Sequence, residues 1–245
     1  MAKRSSRAGA AVRLDDHRNQ LTPIEGGLWN PIDAQRDQSF VRHVRPQSIG
    51  QKRLMEAMAR SHLTLALGPA GTGKTYLAVA AAVEAFDAGQ VARIVLSRPA
   101  VEAGESLGYL PGTMEEKLHP YLRPLYDALA DRLGGKRLKT LMADGSIEIA
   151  PIAYMRGRTL NNCFIVIDEA QNCTYGQIKM LLTRLGWHST MVITGDPDQS
   201  DLLPELSGLG DVAGRLDAMD GIDVVRLAKQ DVVRHPLVAE MLEVL

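Results

Sequence analysis

The segment that most constrains the fold is LTLALGPAGTGKTYLAVAA, residues 63–81. A short apolar run precedes the glycine-rich stretch, and an alanine-rich segment follows it, so a strand, a loop and a helix are predicted in succession. The loop matches G-x-x-x-x-G-K-[ST], and this strand–loop–helix context is the one that the motif requires. Glycines there let backbone N–H groups converge on an anion at a helix N-terminus. The alternative is a glycine-rich turn that only joins the strand to the helix.

We predict that this loop binds the phosphates of a nucleotide. Lys74 would place a cation at the β- and γ-phosphates, and the hydroxyl of Thr75 would be a ligand of Mg²⁺. The predicted nucleotide-binding residues are Gly68, Pro69, Ala70, Gly71, Thr72, Gly73, Lys74, Thr75 and Tyr76.

Two adjacent carboxylates, Asp168 and Glu169, end the apolar run CFIVID. A phosphate-binding loop of this kind uses an acid at the end of another strand as its second Mg²⁺ anchor, which predicts a metal role for Asp168. Glu169 would orient or deprotonate a water in line with the γ-phosphate. The alternative is an acid pair that only caps the following helix. Gln171 and Asn172 come next, and we expect them to relay the nucleotide state towards Gln199 or a bound strand.

Two glutamines have candidate roles in the same pocket. Gln199 follows the apolar run MVITG within DPDQSDL, where it would sense the γ-phosphate; otherwise the segment is an ordinary Asp-Pro turn. Gln51 precedes the loop in a helix-like segment, and its amide has the donor and acceptor that an adenine edge needs. The alternative for Gln51 is a surface position on that helix.

Apolar runs alternate with helix-like segments from about residue 45 to the end. Continuous apolar strands between helices predict an α/β domain with a mostly parallel sheet covered on both faces. We expect one domain, residues 45–245, with an insertion around residues 98–145 and a helix split or kinked by Pro120 and Pro124. Residues 1–44 have no lasting periodicity, so an irregular or disordered N-terminal arm is predicted, either a solvated tail or a nucleic-acid arm.

Composition narrows the class of protein. The net charge is −1, so no global excess of positive charge indicates nucleic-acid binding. The two cysteines form no disulfide framework or metal knuckle, which fits a reducing cytoplasm. No apolar run is long enough for a transmembrane helix, and the N-terminus does not resemble a signal peptide. A cytoplasmic protein without a membrane partner is therefore predicted.

Several motifs, in order, resemble the PhoH-like ATPases: GPAGTGKTYLA, RPAVEAGESLGYLPG, AYMRGRTL, FIVIDEAQN, MLLTRLG, ITGDPDQSDL and DVVRHPLV. The resemblance covers about residue 45 to the C-terminus. It implies a three-layer RecA-like core, similar to the N-terminal motor domain of superfamily 1 helicases. It also implies Mg²⁺-dependent ATP hydrolysis and a role with RNA or single-stranded nucleic acid. Some family members carry a PIN nuclease domain, whose acidic cluster has no counterpart here.

The same resemblance suggests a nucleic-acid contact and a missing catalytic group. The helicase segment corresponding to Arg98, Glu102 and Glu105 touches the strand, so Arg98 is a candidate phosphate contact; it could instead pair with an acid of its own loop. Residues 200–245 are too few for the second RecA-like domain that supplies an arginine in helicases. A homo-oligomeric ring, possibly a hexamer, would supply that arginine in trans. Arg184 and Arg234 are the candidates, and each could equally be a surface or helix-end arginine.

Three functions compete at this point. The favoured one is ATP hydrolysis coupled to binding or remodelling of RNA or single-stranded DNA. The second is an ATP-regulated oligomeric assembly module with little turnover and no nucleic-acid substrate. The third, a small-molecule kinase, is disfavoured because such an enzyme does not need a Glu beside the Asp to activate water.

Overall fold

A computed structural model describes residues 44–99, 114–203, 206–233 and 241. Residues 1–43 of the predicted N-terminal arm, Glu102, Glu105 and Arg234 lie outside these residues. The described residues belong to one compact unit. In them, no helix is both long and apolar enough to cross a membrane.

One sheet of six parallel strands organises the described chain, in the order β3-β2-β4-β5-β1-β6. The predicted parallel sheet is confirmed. The strands are β1 (Leu63–Leu67), β2 (Arg93–Ser97), β3 (Ile147–Ile149), β4 (Cys163–Ile167), β5 (Thr190–Gly195) and β6 (Ile222–Arg226).

Helices cover both faces of this sheet, which gives the predicted three layers. They are α1 (Ile49–Arg60), α2 (Lys74–Asp87), α3 (Met114–Leu133), α4 (Gly135–Ala143), α5 (Tyr175–Leu182) and α6 (Leu209–Leu216). Short 3-10 turns span Ile152–Met155, Ala170–Asn172 and Lys229–Asp231. Helix α3 is continuous through Pro120 and Pro124, so the predicted split is wrong.

Strand β4 shows why the apolar runs are continuous. Phe164 and Val166 pack into the core with α1 to α4, whereas Cys163, Ile165 and Ile167 pack into the core with α5 and α6. Successive side chains of a strand point to opposite faces, so a strand buried on both sides needs apolar residues at every position. All five residues of β4 are buried.

The strand order brings the candidate residues to one edge of the sheet. Parallel strands end on the same side, and β2, β4, β5 and β1 are neighbours in that order. The residues that follow them, Arg98, Asp168, Asp196 and Gly68, are therefore consecutive along the carboxyl edge. Backbone hydrogen bonds continue beyond the strands, from Asp168 N to Ser97 O (2.8 Å) and from Gly68 N to Gly195 O (3.1 Å).

Candidate nucleotide site

The glycine-rich loop has the backbone conformation that an anion cradle needs. Gly68, Gly71 and Gly73 have φ angles of +136°, +85° and +81°, a region that other residues rarely enter. At Gly68 the neighbouring strand adds a second constraint, because a Cβ there would lie 2.3 Å from the carbonyl oxygen of Leu227. Helix α2 begins directly after the loop at Lys74, so its N-terminal N–H groups face the loop, as a phosphate site requires.

The side chain of Lys74 contacts the glycine-rich loop. Its Nζ donates to the carbonyl oxygens of Gly68 (2.5 Å) and Pro69 (2.9 Å). Burial lowers the pKa of Lys74, and the carboxylates of Asp196, Glu169 and Asp168 oppose that change. The ammonium group is thus held among acceptors and acids, where an anionic phosphate would stabilise its charged form.

Asp168 accepts hydrogen bonds from two threonine hydroxyl groups. Its Oδ1 accepts hydrogen bonds from the hydroxyls of Thr75 and Thr194, both at 2.6 Å. Its Oδ2 is buried and has no hydrogen-bond donor among the described residues, although Arg98 lies 3.6 Å away. An anionic oxygen in this position, beside a threonine hydroxyl, fits a Mg²⁺ ion that takes few protein ligands and several from phosphate and water. Thr194 was not predicted from the sequence.

Glu169 lies beside this centre with a strained backbone. Its φ of +54° is in the left-handed region, which is uncommon for a glutamate and typical of functional sites. Gln171 Nε2 donates to its Oε2 at 2.5 Å, and Arg98 lies 3.7 Å from its Oε1. Glu169 is more exposed than Asp168, which is 1% exposed. The two acids therefore have different environments.

Among the described residues, Arg98 lies between the two acids, Asp168 and Glu169. Its NH1 is 3.6 Å from Asp168 and its NH2 is 3.7 Å from Glu169. The alternative partners from the sequence, Glu102 and Glu105, lie outside the described residues. A cation at this position offsets the repulsion between the two carboxylates.

Gln51 is buried, not a surface residue of α1. Its Nε2 donates to the carbonyl oxygen of Thr72 at 3.1 Å, and its Oε1 accepts from the backbone N–H of Gln47 at 2.8 Å. Gln51 thus ties the start of α1 to the glycine-rich loop. Its predicted contact with adenine would need the remaining amide hydrogen or oxygen lone pair.

Gln199 is exposed in the turn after β5. Its backbone N–H donates to the carbonyl oxygen of Asp196 at 3.0 Å. The turn is fastened to the acid-pair segment, because Asp196 N donates to Gln171 Oε1 and Asn172 exchanges two hydrogen bonds with Asp201. The predicted sensor residue therefore lies on a segment linked to Glu169.

Arg184 lies at the opposite edge of the sheet. It ends the turn after α5, and its carbonyl oxygen accepts from Leu160 N, ahead of the first residue of β4. Its guanidinium donates to Met180 O (3.1 Å), Arg158 O (2.7 Å) and Thr183 Oγ1 (2.9 Å). These bonds attach Arg184 to its own chain, so a role in a neighbouring subunit would need them to break.

A C-terminal segment also reaches the loop, which the sequence did not reveal. Val233 N donates to Gly71 O at 2.9 Å. Just before it, Asp231 accepts from Gly50 N (3.1 Å) and Ala228 N (2.9 Å). Residues 228–233 therefore connect the start of α1 to the glycine-rich loop.

The model of the family described as "PhoH-like protein" matches residues 43–245. The chain belongs to the PhoH-like family. A PhoH-like protein of Bacillus subtilis is 55% identical over 203 residues, covering 82% of this chain and 64% of the relative. Protein PhoH of Escherichia coli K12 is 41% identical over 217 residues, covering 87% of this chain and 61% of the relative. The PhoH-like chain thus spans less than two thirds of each of these relatives.

One solved structure with a similar chain is the SWI2/SNF2 ATPase core of Sulfolobus solfataricus in complex with double-stranded DNA. It is 18% identical and has a TM-score of 0.47, covering 89% of this chain and 54% of that one. The family match and the loop geometry together identify the PhoH-like chain as a P-loop domain.

Proposed function

We propose that this chain binds ATP with Mg²⁺ and hydrolyses it, and that hydrolysis is coupled to binding or remodelling of RNA or single-stranded DNA. The observation that carries the ATPase part is the buried Asp168 Oδ2, which lacks a donor among the described residues while Thr75 and Thr194 hold the other oxygen. Thr75 and Asp168 would hold the ion, and a bound Mg²⁺ would neutralise charge on the β- and γ-phosphates.

The residues around the metal site would have separate roles in phosphate binding, proton transfer and sensing of the γ-phosphate. The N–H groups of the glycine-rich loop and Lys74 would bind the phosphates. Glu169 would accept a proton from the water whose oxygen bonds to the γ-phosphorus as the bond to the β,γ-bridging oxygen breaks. Gln199 would sense the γ-phosphate from its turn. These roles give Lys74 and Glu169 separate effects, on binding and on turnover respectively.

The matching experiment compares phosphate release by the wild type and Glu169→Gln. We expect a loss of about 10²-fold or more in kcat with ATP affinity retained, because the amide cannot take the proton. Glu56→Gln, an exposed change on α1, is the matched control. Equal turnover in Glu169→Gln and the wild type would contradict a catalytic role for Glu169.

The nucleic-acid part of the proposal starts from Arg98. This arginine is a cation beside the acid pair at the carboxyl edge, and its side chain is about one quarter exposed. A strand phosphate bound there would contact the same guanidinium that approaches Asp168 and Glu169, which offers a physical link between strand and nucleotide. Phosphate release with and without single-stranded RNA or DNA tests it. If neither strand binds at low salt or changes the rate, the coupling is excluded.

The same ion pairs support a second candidate, an ATP-regulated assembly module with little turnover. Arg98 lies within 3.7 Å of both acids, so the acids already have a counter-ion without nucleotide or metal. Mg²⁺-dependent phosphate release over many turnovers would exclude this candidate.

We further propose a homo-oligomeric ring, in which a neighbouring copy supplies an arginine to the site. Arg184 and Arg234 are the candidates. Light scattering coupled to size-exclusion chromatography, with and without ATP, tests the assembly. A monomer at micromolar concentration in both conditions contradicts it.

A further inference from the structure

We propose that Gln171 is a positioning residue for Glu169 and couples that acid to the turn that carries Gln199. The inference rests on the proposed function, because it takes Glu169 as the group that accepts the proton from water.

Both the nitrogen and the oxygen of the Gln171 side-chain amide form hydrogen bonds. Nε2 donates to Glu169 Oε2 at 2.5 Å, and Oε1 accepts from the backbone N–H of Asp196 at 3.2 Å. Gln171 is 4% exposed, so water does not compete freely for either bond. One planar amide therefore joins the end of β4 to the end of β5.

The amide has little room to move. A Cβ on Gly195 would lie 2.8 Å from Gln171 Oε1 and 2.5 Å from a methyl carbon of Leu209. Only a glycine at 195 lets β5 pass this close to the amide. The absence of a side chain at Gly195 thus fits the proposed bridge.

The backbone of Gln171 is attached to the same turn. Its carbonyl oxygen accepts from the hydroxyl of Ser200 at 2.8 Å. The next residue, Asn172, exchanges hydrogen bonds of 2.8 and 2.9 Å with Asp201. Residues 196–201 are therefore fastened to Gln171 and Asn172 at three points, with Gln199 between them.

This geometry suits Glu169 as a base. A neutral amide holds one carboxylate oxygen without adding charge, so it fixes the direction of the side chain while leaving the carboxylate anionic. The bond also transmits displacement, because a shift of Asp196 moves the amide and hence Oε2 of Glu169. Placement of a reacting group to within 1 Å affects the rate by about 10²-fold.

Two substitutions at Gln171 separate positioning of Glu169 from support of the turn. Gln171→Glu keeps an acceptor for Asp196 N but presents a second carboxylate to Glu169. Gln171→Met, of similar length, loses both bonds. We expect both variants to lose about 10²-fold in kcat, with KM for ATP changed by less than about threefold. Gln90→Glu and Gln90→Met, at an exposed glutamine after α2, are the matched controls.

A charge swap gives a readout that does not depend on turnover. In the double variant Glu169→Gln, Gln171→Glu, donor and acceptor exchange places and the bond can form again. We expect Gln171→Glu alone to lower the melting temperature and to speed hydrogen exchange in residues 196–201. The swap should restore both to wild-type values while phosphate release stays as low as in Glu169→Gln, because residue 169 is no longer an acid.

The outcomes separate this proposal from the proposed function. Wild-type kcat in Gln171→Glu would mean that the amide serves only the turn, and would overturn the positioning role. If the wild type itself releases no phosphate, the proposed function fails and the swap alone decides: a restored melting temperature supports the bridge, and an unrestored one overturns it.

Discussion

The hydroxyl of Thr75 donates to Asp168 Oδ1 at 2.6 Å and thereby joins the first turn of α2 to the residue after β4. The two residues come from distant parts of the chain, and both were predicted to hold the same Mg²⁺ ion. Thr194 donates to the same oxygen from β5, also at 2.6 Å. Asp168 is thus oriented from both sides, with its second oxygen left for another partner.

Removal of the Thr75 hydroxyl should weaken metal binding. In Thr75→Ala we expect the Mg²⁺ concentration for half-maximal phosphate release to rise by about tenfold or more, because a ligand and an orienting donor are both lost. Thr75→Ser keeps the hydroxyl and is the control. A Mg²⁺ titration of each variant makes the comparison, and equal midpoints for all three proteins would contradict the assignment.

Loss of the Gln51 side chain should loosen the glycine-rich loop. Gln51→Ala leaves Thr72 O and Gln47 N without their partner, so we expect the free energy of unfolding to fall by about 1–3 kcal/mol. Both ends of the Gln51 amide are already bonded within the protein. The affinities of Gln51→Ala for ATP and for GTP should therefore fall by the same factor. Urea unfolding and nucleotide titration measure the two effects, with Gln90→Ala as control. A loss confined to ATP would instead support the predicted adenine contact.

Arg98→Ala should weaken strand binding in a salt-dependent way. If Arg98 contacts one phosphate, affinity for single-stranded RNA falls and the slope of log affinity against log salt decreases by about one. Arg93→Ala is the control, because Arg93 begins β2 at the edge of the sheet opposite to Arg98. Unchanged affinity and slope would leave Arg98 as a counter-ion of the acids alone.

Asp231 should contribute stability that depends on pH. The N–H of Ala228, the hydroxyl of Ser48 and the N–H of Gly50 hold the pKa of Asp231 below its ordinary 3.8. A carboxyl whose pKa is lowered on folding stabilises the protein above its unfolded pKa, and this contribution is lost as pH falls through the folded value. Asp231→Asn should therefore unfold more easily than the wild type near neutral pH.

Urea unfolding at a series of pH values checks this expectation. The difference between Asp231→Asn and the wild type should be about 1–3 kcal/mol near neutral pH, since hydrogen bonds to a charged group are lost. It should shrink as the pH is lowered below 3.8. Asp220→Asn, at an exposed position, serves as control. A difference that stays constant with pH would show that the charge of Asp231 contributes nothing.

The local sequence was sufficient to predict the sheet and the two central motifs. The apolar runs predicted parallel strands because both faces of strands such as β4 are buried, and the motif around Lys74 predicted a strand, a loop and a helix. Asp168 could be placed because residues that follow parallel strands meet at one edge of the sheet. The structure brings Lys74, Thr75 and Asp168 together as expected.

Partners distant in sequence could not be predicted in the same way. Thr194 is the last residue but one of the apolar strand β5, and nothing local indicates that its hydroxyl meets Asp168. The bonds from Asp231 to Gly50 and from Val233 to Gly71 depend on how far the chain returns after β6. The split predicted in α3 was wrong for another reason: each proline removes one N–H donor, but the surrounding helix is continuous.

The position of β1 has a consequence for the order in which the molecule is made. Its Leu63 pairs with Met191 on one side and Ile222 on the other, so both neighbours of this strand are synthesised long after it. Contacts of such high sequence separation form slowly, and a nascent chain exposes the unpaired strand meanwhile. During synthesis, β1 and the glycine-rich loop therefore lack their neighbouring strands until β5 and β6 have left the ribosome. A chain truncated before residue 190 should bind chaperones and should not bind nucleotide.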